Sequence, residues 1–554
     1  MLTRLRGAKV YDPSNGVDGE IQDIYIQGNR IAEPPINVRS VDKTVDIRGC
    51  VVMAGGIDIH THIGGGKVNI ARMLLPEDHQ RDLVARGRHP RMGCGHAAPS
   101  TLTTGYRYAE MGYTACFEPA MLPVNARQAH MEMADTPIID KGAYALLGND
   151  DFLLRLLARP ADNEVVRDYV AWILRATQAL AIKIVNPGGI NAFKFNQRKL
   201  DLDEKNDSYQ VTPRQILKVL AKSVQDLGLN HPLHIHGCNL GVPGNMATTL
   251  DMIRGLDGIA AHLTHLQFHS YGVEGDRRFS SGAAAIAEVI NANPNLSIDV
   301  GQVMFGQTVT ESSDTMQQYA GHVFADPKKW VGMDIECDAG CGVVPFRYKD
   351  MSFVNALQWA IGLELFLLVE DPWRIFLTTD HPNGAPFTSY PHLIRLLADQ
   401  SFRSDMLATI NADAAHASDL ASIKREYSLY EIAIITRAGP AKSLGLQNKG
   451  HLGPGADADI AVYREHKDYE RMFTTPQYVY KNGTLVVYKG RVCDEAPGTT
   501  HVTRSDFNPT IETKLNRYFN RYMTMKKNQI IINDDEIRDH GRGKLKIHRA
   551  RRRL

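Results

Sequence analysis

The sequence predicts a parallel β/α barrel flanked by a small β-domain, a β-sandwich built from both ends of the chain. Between about residues 51 and 435, short apolar runs alternate with longer helical stretches, which is the pattern of a parallel β/α barrel. Before and after this region, short alternating segments with turn signals such as Asn482-Gly483 predict antiparallel strands. Several of the apolar runs end in polar residues. In a β/α barrel the catalytic groups lie at this position, the C-terminal ends of the strands.

The predicted domain limits follow from where this pattern changes. Residues 1–50 form the first part of the β-domain, 51–435 the barrel, 436–495 the second part of the β-domain, and 496–554 a C-terminal extension. The extension ends in a basic stretch, 541–554. A solvated, disordered tail is the first interpretation of such a stretch, and docking onto an acidic partner or an anionic substrate is the alternative.

Composition and charge are those of a soluble enzyme. The 554 residues are 43% hydrophobic and 23% charged, with a formal net charge of +1, so charge gives no reason to expect nucleic acid or a membrane as a partner. The charged N-terminus lacks the apolar core of a secretory signal peptide, and the longest apolar segment, 354–369, is too short for a membrane span. We therefore expect a cytoplasmic protein.

Seven cysteines are scattered along the chain. An odd and small number in a chain of this length argues against a disulfide framework. Cys337 and Cys341 form one close pair, but no second pair completes a zinc or iron–sulfur site, so we predict structural thiols.

The most informative stretch is 51–66, an apolar run that ends in His60-Thr61-His62 and then in glycines. Residues two apart on a strand point to the same face, so both imidazoles can reach one metal ion from the C-terminal end of the strand. An isolated pair of this kind is as often two half-buried polar residues. Further candidate ligands at the ends of other apolar runs favour a metal site: Lys183, His236, His262 or His265, and Asp380.

Lysine is the unusual member of this set. At a buried strand end beside divalent cations, desolvation and like charge both disfavour the ammonium form of Lys183. A neutral amine can take up carbon dioxide and become a carbamate, whose two oxygens can bridge two metal ions. The set therefore predicts a binuclear centre.

These residues resemble the amidohydrolase superfamily, in the branch that includes dihydroorotases and hydantoinases. The resemblance rests on His60-x-His62, on His236 in Ile-His-Gly-Cys-Asn, on His262 in Ala-His-Leu-Thr and on Thr378-Thr-Asp-His-Pro382, and it covers roughly residues 2–495. Longer strings within 56–69, 76–78, 183–189, 265–272 and 380–384 are similar to the family of formylmethanofuran dehydrogenase A subunits and the related subunits of bacterial formyltransferase/hydrolase complexes.

The resemblance implies a TIM-like (β/α)8 barrel of amidohydrolase type that holds two divalent metal ions, with zinc the first expectation. Its implied ligands are His60, His62, Lys183 as N6-carboxylysine, His236, His262 and Asp380. His265 is held as an alternative ligand or a residue beside the ligands. Lys194, in Ala-Phe-Lys-Phe, also superficially resembles the carboxylated lysine, but the Val-Asn-Pro-Gly-Gly string directly after Lys183 favours Lys183.

The resemblance also implies an activity and partners. The activity is hydrolysis of an N-formyl group on a methanofuran-type (methylofuran) one-carbon carrier to formate and the free amine, with Asp380 as general acid and base. The implied partners are a formyltransferase subunit together with two further subunits of one complex. Three alternatives remain: a cyclic-amide hydrolase, the formyl-forming A subunit of an archaeal dehydrogenase, and a non-catalytic scaffold that has kept the fold.

Four further residues are weaker candidates for substrate binding: Lys67, Asn69, Arg72 and Asn186. Gly64-Gly-Gly-Lys67 lacks the spacing of a phosphate-binding loop, because Val68 follows the lysine. We interpret the glycines as a backbone turn around the site. For Lys67 and Arg72 taken singly, surface solvation is the first expectation.

Overall fold

The structure is a computed structural model that describes residues 1–37, 40–79, 95–159, 162–194, 196–333, 341–539 and 543–550. A parallel barrel lies beside a sheet-rich domain, which confirms the predicted fold class. None of the described helices combines the length and the apolar character that crossing a membrane requires.

The barrel strands are short and buried. A seven-stranded parallel sheet joins most of them, and Gly56–Asp58 adds the remaining position by pairing with Tyr113–Cys116. The bridge between Thr61 and His381 closes the ring. In chain order the strands are Gly56–Asp58, Tyr113–Cys116 continued by Glu118–Met121, Ala143–Leu146, Ala181–Val185, Leu233–His236, Ala261–Leu263, Leu296–Asp299 and Ile375–Phe376.

The helices between the strands pack their apolar faces onto the barrel. In Pro213–Asp226, the Thr212 side chain and Gln215 form a capping box, proline occupies the first turn, and the buried residues recur at helical spacing. Other helices around the barrel are Thr101–Glu110, Ala126–Ala134, Asp151–Leu157, Asn163–Ala176, Asn245–Gly255, Ala283–Ala292, Phe353–Leu368, Tyr390–Ala398, Gln400–Leu407 and Leu429–Ala433.

One nine-stranded sheet contains strands from both ends of the chain. Cys50–Ala54 pairs antiparallel with Ile460–Arg464, so the N-terminal and C-terminal parts of the β-domain share a sheet. The predicted hairpin at Asn482-Gly483 is confirmed, with the positive φ values that a two-residue turn requires. The other strands are Leu2–Asp12, Val17–Gln27, Arg30–Ala32, Lys43–Asp46, Tyr478–Lys481, Thr484–Tyr488 and Arg491–Val492.

The C-terminal extension is more ordered than expected. Lys544–Arg549 forms a strand parallel to Thr499–Arg504, and the helix Thr510–Tyr522 packs beside the barrel. The disordered-tail interpretation is therefore wrong for residues 544–549, because strand pairing satisfies their backbone. Residues 551–554 and Cys337 lie outside the described part of the chain.

A small antiparallel sheet is inserted between the last two barrel strands. It consists of Gly306–Ser312, Val331–Met333 and Cys341–Tyr348, with the helix Thr315–Gly321 beside it. The C-terminal ends of the parallel strands lie together on one face of the barrel. Residues of the inserted sheet line the cavity at that face, so the insertion covers it. The protein's main candidate site lies beneath it.

Candidate metal centre

A cavity of about 420 Å³ lies at the C-terminal ends of the barrel strands, under the inserted sheet. Strand ends of the barrel and the loops after them bring polar side chains to its floor. Those that the sequence had singled out are His62, Lys67, Lys183, His236, His265 and Asp380.

His60 and His62 converge on one carboxylate. The Nε2 atom of His60 lies 2.8 Å from Asp380 Oδ1, and the Nε2 atom of His62 lies 3.4 Å from the same oxygen. All three side chains are buried, and their ligand atoms lie close enough together to hold one ion. His60 and His62 lie just past the end of the first barrel strand, Gly56–Asp58, and both direct Nε2 towards Asp380.

The opposite nitrogens of the two imidazoles contact other groups. His62 Nδ1 lies 3.0 Å from Glu118 Oε1, and His60 Nδ1 lies 2.8 Å from His234 Nε2 and beside the Thr264 hydroxyl. When both Nδ1 atoms donate hydrogen bonds to these groups, both Nε2 atoms direct lone pairs at Asp380. Two lone pairs and a carboxylate that meet in a buried space fit a divalent cation.

The local charge also favours a cation. Burial lowers the pKa of His62, but the carboxylates of Glu118 and Asp380 outweigh it and raise the pKa to about 9. Burial similarly opposes ionisation of Asp380, whereas His60 and His265 hold its pKa well below the usual value. The site thus stabilises an ionised Asp380 and a positive charge beside it, which a bound metal ion would supply.

Lys183 is the middle residue of the strand Ala181–Val185, and its Nζ atom lies 3.4 Å from His60 Nε2. It is 2% exposed, and burial lowers its pKa to about 8. A substantial fraction of the side chain is therefore the neutral amine near pH 8, which is the form that reacts with carbon dioxide.

His236 and His265 form a second group on the same floor. Their rings meet edge to face with centroids 4.6 Å apart, and His265 lies 5.4 Å from the His60 ring. His265 Nδ1 is buried and has no hydrogen-bond partner among the described residues. Its position depends on Gly301, where a Cβ atom would approach His265 Cβ to 2.3 Å. An unpartnered imidazole nitrogen in a polar cavity is a candidate ligand atom.

His262 does not join this group. Its Nε2 atom lies 3.0 Å from Asp299 Oδ2 and its Nδ1 atom 2.9 Å from Ser297 Oγ, so both ring nitrogens are engaged. The ring stacks on Phe376 with centroids 5.7 Å apart and does not line the cavity. The two histidines differ in their position along the strand. His262 lies within Ala261–Leu263, below the cavity floor, whereas His265 follows the C-terminal end of that strand, where the cavity lies.

The weaker substrate-binding candidates separate into two kinds. Lys67 is buried, lines the cavity and donates to Ser313 Oγ at 2.9 Å, so surface solvation is the wrong expectation for it. The other three hold neighbouring segments: Arg72 donates to the carbonyl oxygens of Ile63 and Pro99, Asn69 donates to Glu132, and Asn186 donates to Asp314. The side chain of Lys194 lies outside what the structure describes.

Several residues at the site were not singled out from the sequence. Glu118 follows an apolar run, and Asp299 is the last residue of the strand Leu296–Asp299. A search for polar residues at the ends of apolar runs, which identified Asp380, is sufficient to identify these two as well. Glu311 and Asp314 come from the inserted sheet, which gave no sequence signal. Glu311 lines the cavity 3.6 Å from His62 Nδ1, and burial raises its pKa to about 7.

Comparison with known proteins agrees with this geometry. A family model described as "Amidohydrolase family" matches residues 43–493. The A subunit of the formyltransferase/hydrolase complex Fhc from Methylorubrum extorquens is 44% identical over 505 residues, covering 90% of this chain and 91% of that protein. Protein FwdA from Methanocaldococcus jannaschii is 43% identical over 515 residues, covering 90% of each.

A solved structure is similar over the whole chain. The crystal structure of the formyltransferase/hydrolase complex FhcABCD from Methylorubrum extorquens, in complex with methylofuran, contains a chain that superposes with a TM-score of 0.94 at 40% identity, with 100% of both chains covered. The chain described here therefore belongs to the amidohydrolase family, within the group that contains FwdA and the Fhc A subunit.

Proposed function

We propose that the protein hydrolyses an N-formyl group on a methanofuran-type one-carbon carrier, giving formate and the free amine. It would act as the A subunit of a formyltransferase/hydrolase complex in one-carbon metabolism, with a formyltransferase subunit plus two further subunits as partners. The observation that carries the proposal is one cavity floor that gathers five candidate ligands, namely His62, Lys183, His236, His265 and Asp380. His60 lies directly behind this floor, in contact with Asp380 and Lys183, and the chain is 44% identical to the Fhc A subunit.

The donor set fits two divalent ions, with zinc the first expectation because imidazole and carboxylate ligands suit it. His60, His62 and Asp380 would hold one ion, and His236 and His265 the other. Lys183 would bridge them as N6-carboxylysine: the neutral amine adds carbon dioxide, a C–N bond forms and one proton leaves. The lowered pKa of Lys183 supports this step.

Ions in this place would polarise the formyl oxygen and make water more acidic. Asp380 Oδ1 would take the proton of the attacking water and then deliver it to the leaving nitrogen, so that the amine departs uncharged. Asn383 Nδ2 donates to Asp380 Oδ2 at 3.0 Å, which leaves Oδ1 directed at the reaction floor. Lys67, buried beside this floor, would stabilise negative charge on the formyl oxygen.

The cavity walls suit the ring of such a carrier. Leu240, Phe268 and Phe346 line the wall, while the polar groups gather on the floor. A cavity of about 420 Å³ with apolar walls and few convergent polar groups is typical of a small-molecule site. A formamide at the end of a furan-bearing arm can thus reach the floor while its ring contacts the apolar wall.

A substrate panel tests the proposal. The full-length chain is assayed for formate release from N-formylfurfurylamine, an analogue of the carrier's reactive end, and for ring opening of hydantoin and dihydroorotate. We expect formate release and no ring opening. Ring opening without formate release would replace the proposal with a cyclic-amide hydrolase, and no turnover of any compound by metal-loaded protein would favour the scaffold.

Identity to FwdA and to the Fhc A subunit is nearly equal, at 43% and 44%. The second candidate function is therefore the A subunit of an archaeal formylmethanofuran dehydrogenase, in which the same site would run towards the formyl carrier. Purification of the native assembly separates the two: a formyltransferase partner supports the first, and iron–sulfur and molybdenum or tungsten pterin partners support the second.

His265 is proposed as the ligand in place of His262, and a matched pair of variants tests this. His265→Ala should lower metal content by about one ion per chain, because it removes a ligand atom that lines the cavity. His262→Ala should retain both ions and lose stability, since it empties a buried space against Phe376. Elemental analysis and thermal unfolding measure the two effects; metal loss confined to His262→Ala would restore the assignment of His262.

A further inference from the structure

The two histidines that follow the first barrel strand differ in the groups that their Nδ1 atoms contact. His62 Nδ1 faces the carboxylate of Glu118, the usual kind of partner for a metal-binding imidazole. His60 Nδ1 instead faces the Nε2 atom of a second histidine, His234, at 2.8 Å. His234 lies on the strand Leu233–His236, two residues before His236, and is fully buried.

The contact with His234 continues as a chain of imidazoles. His234 Nδ1 lies 3.0 Å from His231 Nε2, and His231 Nδ1 lies 3.2 Å from the carbonyl oxygen of Ser443. His231 precedes its strand, and the parallel strands carry the candidate metal centre at their opposite ends. The chain therefore runs through the barrel from its N-terminal end, at the helix Gly439–Leu444, to the back of His60.

The hydrogen-bond chemistry gives this chain a direction. A carbonyl oxygen only accepts, so the proton of His231 lies on Nδ1, and its Nε2 atom accepts from His234 Nδ1. His234 Nε2 then accepts from His60 Nδ1. Each N–N contact holds one proton, so a chain that begins at a carbonyl oxygen carries one proton on the Nδ1 atom of each ring. Burial also lowers the pKa of His231 to about 3.

The other neighbours of His60 Nδ1 agree with this direction. The Thr264 hydroxyl donates to Asp299 Oδ2 at 2.7 Å, so towards His60 it offers a lone pair. Asp299 Oδ2 itself lies 3.5 Å from His60 Nδ1. Each of these groups can therefore accept from His60 Nδ1, while the Nε2 atom on the opposite side lies 2.8 Å from Asp380 Oδ1.

We propose that His234 and His231 are positioning residues for the metal centre: their neutral, directional hydrogen-bond chain fixes the Nδ1-protonated tautomer of His60 and so keeps its Nε2 lone pair available for the metal ion. If His231 can no longer accept, the His234 ring can reverse its tautomer and present Nε2–H to His60. His60 would then carry its proton on Nε2, where the ion must bind. The inference rests on the proposed metal role of His60 and is independent of the substrate.

Variants at His231 test the chain two hydrogen bonds away from the metal ligand. His231→Leu removes the acceptor, and His231→Gln restores one through its amide oxygen. The zinc dissociation constant of the full-length chain is measured by competition with a chromophoric chelator, and the thermal unfolding of the metal-free protein is measured in parallel. We expect about 10-fold weaker zinc binding for His231→Leu and recovery to within about 3-fold for His231→Gln, in the range usual for groups that orient metal ligands.

Two further variants separate orientation from general damage. Ser443→Ala removes the hydroxyl, 3.1 Å from His231 Nδ1, but keeps the carbonyl acceptor, so zinc affinity should be unchanged. His130→Leu removes another buried histidine, which bonds Thr177 O at 2.9 Å apart from the chain, and should also leave affinity unchanged.

Three results would overturn the inference. The first is equal zinc affinity in wild type and His231→Leu. The second is an equal loss in the Leu and Gln variants, together with an equal loss of stability in the metal-free protein. The third is a wild-type chain that binds no zinc, which would overturn the assignment of His60 as a metal ligand as well. If the wild type binds zinc and His231→Leu binds it equally well, only the positioning role of His231 and His234 is overturned.

Discussion

Asp380→Asn is expected to lower the rate of formate release by at least about 10³-fold while leaving the metal content close to that of the wild type. The amide keeps the size of the side chain and one ligand oxygen, and it can still face His60 and His62. It cannot accept a proton from water and return it to the leaving amine, and such transfers contribute about 10²–10⁴-fold. Loss of the carboxylate charge beside the reaction floor adds to the effect.

The matched control for Asp380→Asn is Asp150→Asn. Asp150 is a half-buried aspartate, and desolvation of its carboxylate raises its pKa to about 6. It caps the helix Asp151–Leu157 and does not line the candidate cavity. Asparagine caps helices as well as aspartate does, so we expect near-normal turnover. Steady-state kinetics and elemental analysis measure both variants. Turnover of Asp380→Asn within a factor of ten of wild type would exclude Asp380 as the proton carrier.

Lys183→Ala is expected to lose most of its metal and essentially all formate release. If Lys183 is carboxylated as proposed, no carbamate could then bridge the two groups of ligands, and the floor would lose a negative charge that favours the ions. His60 and His62 would retain at most a weakly bound ion. The effect should exceed that of any single histidine variant, because the proposed bridge would contact both ions.

Lys141→Ala serves as the control for Lys183→Ala. Burial also lowers the pKa of Lys141 to about 8, but its Nζ atom donates to Thr136 O away from the cavity. This variant should lose stability while keeping two metal ions. Elemental analysis after dialysis against a chelator distinguishes the cases. A Lys183→Ala protein that retains two ions and normal turnover would contradict the carboxylated-lysine bridge.

The fold and part of the site could be predicted from the sequence because they depend on periodic patterns. Apolar runs with polar ends marked the barrel strands, and the same rule pointed to Asp380 and Lys183. The spacing of His60 and His62 predicted a shared direction, and both side chains face Asp380 although the strand itself ends at Asp58. Asn482-Gly483 marked a hairpin for the same reason.

Other features depend on contacts between distant segments. His262 and His265 both follow an apolar run, and their sequence spacing does not reveal which one passes the strand end; the structure separates them through Asp299 and Gly301. Glu311 reaches the cavity on an inserted sheet that has no barrel periodicity. From sequence alone, residues 544–549 look like a basic tail. They form a strand because they pair with Thr499–Arg504, a contact that the local sequence does not reveal.

Anomalous diffraction from crystals of the full-length protein loaded with zinc, measured on both sides of the zinc absorption edge, tests the central claim most directly. We predict two peaks on the floor of the cavity, one against His60, His62 and Asp380 and one against His236 and His265, with extended density on Lys183 Nζ between them. A single peak with unmodified Lys183, or a second ion bound by His262, would contradict the proposed binuclear centre.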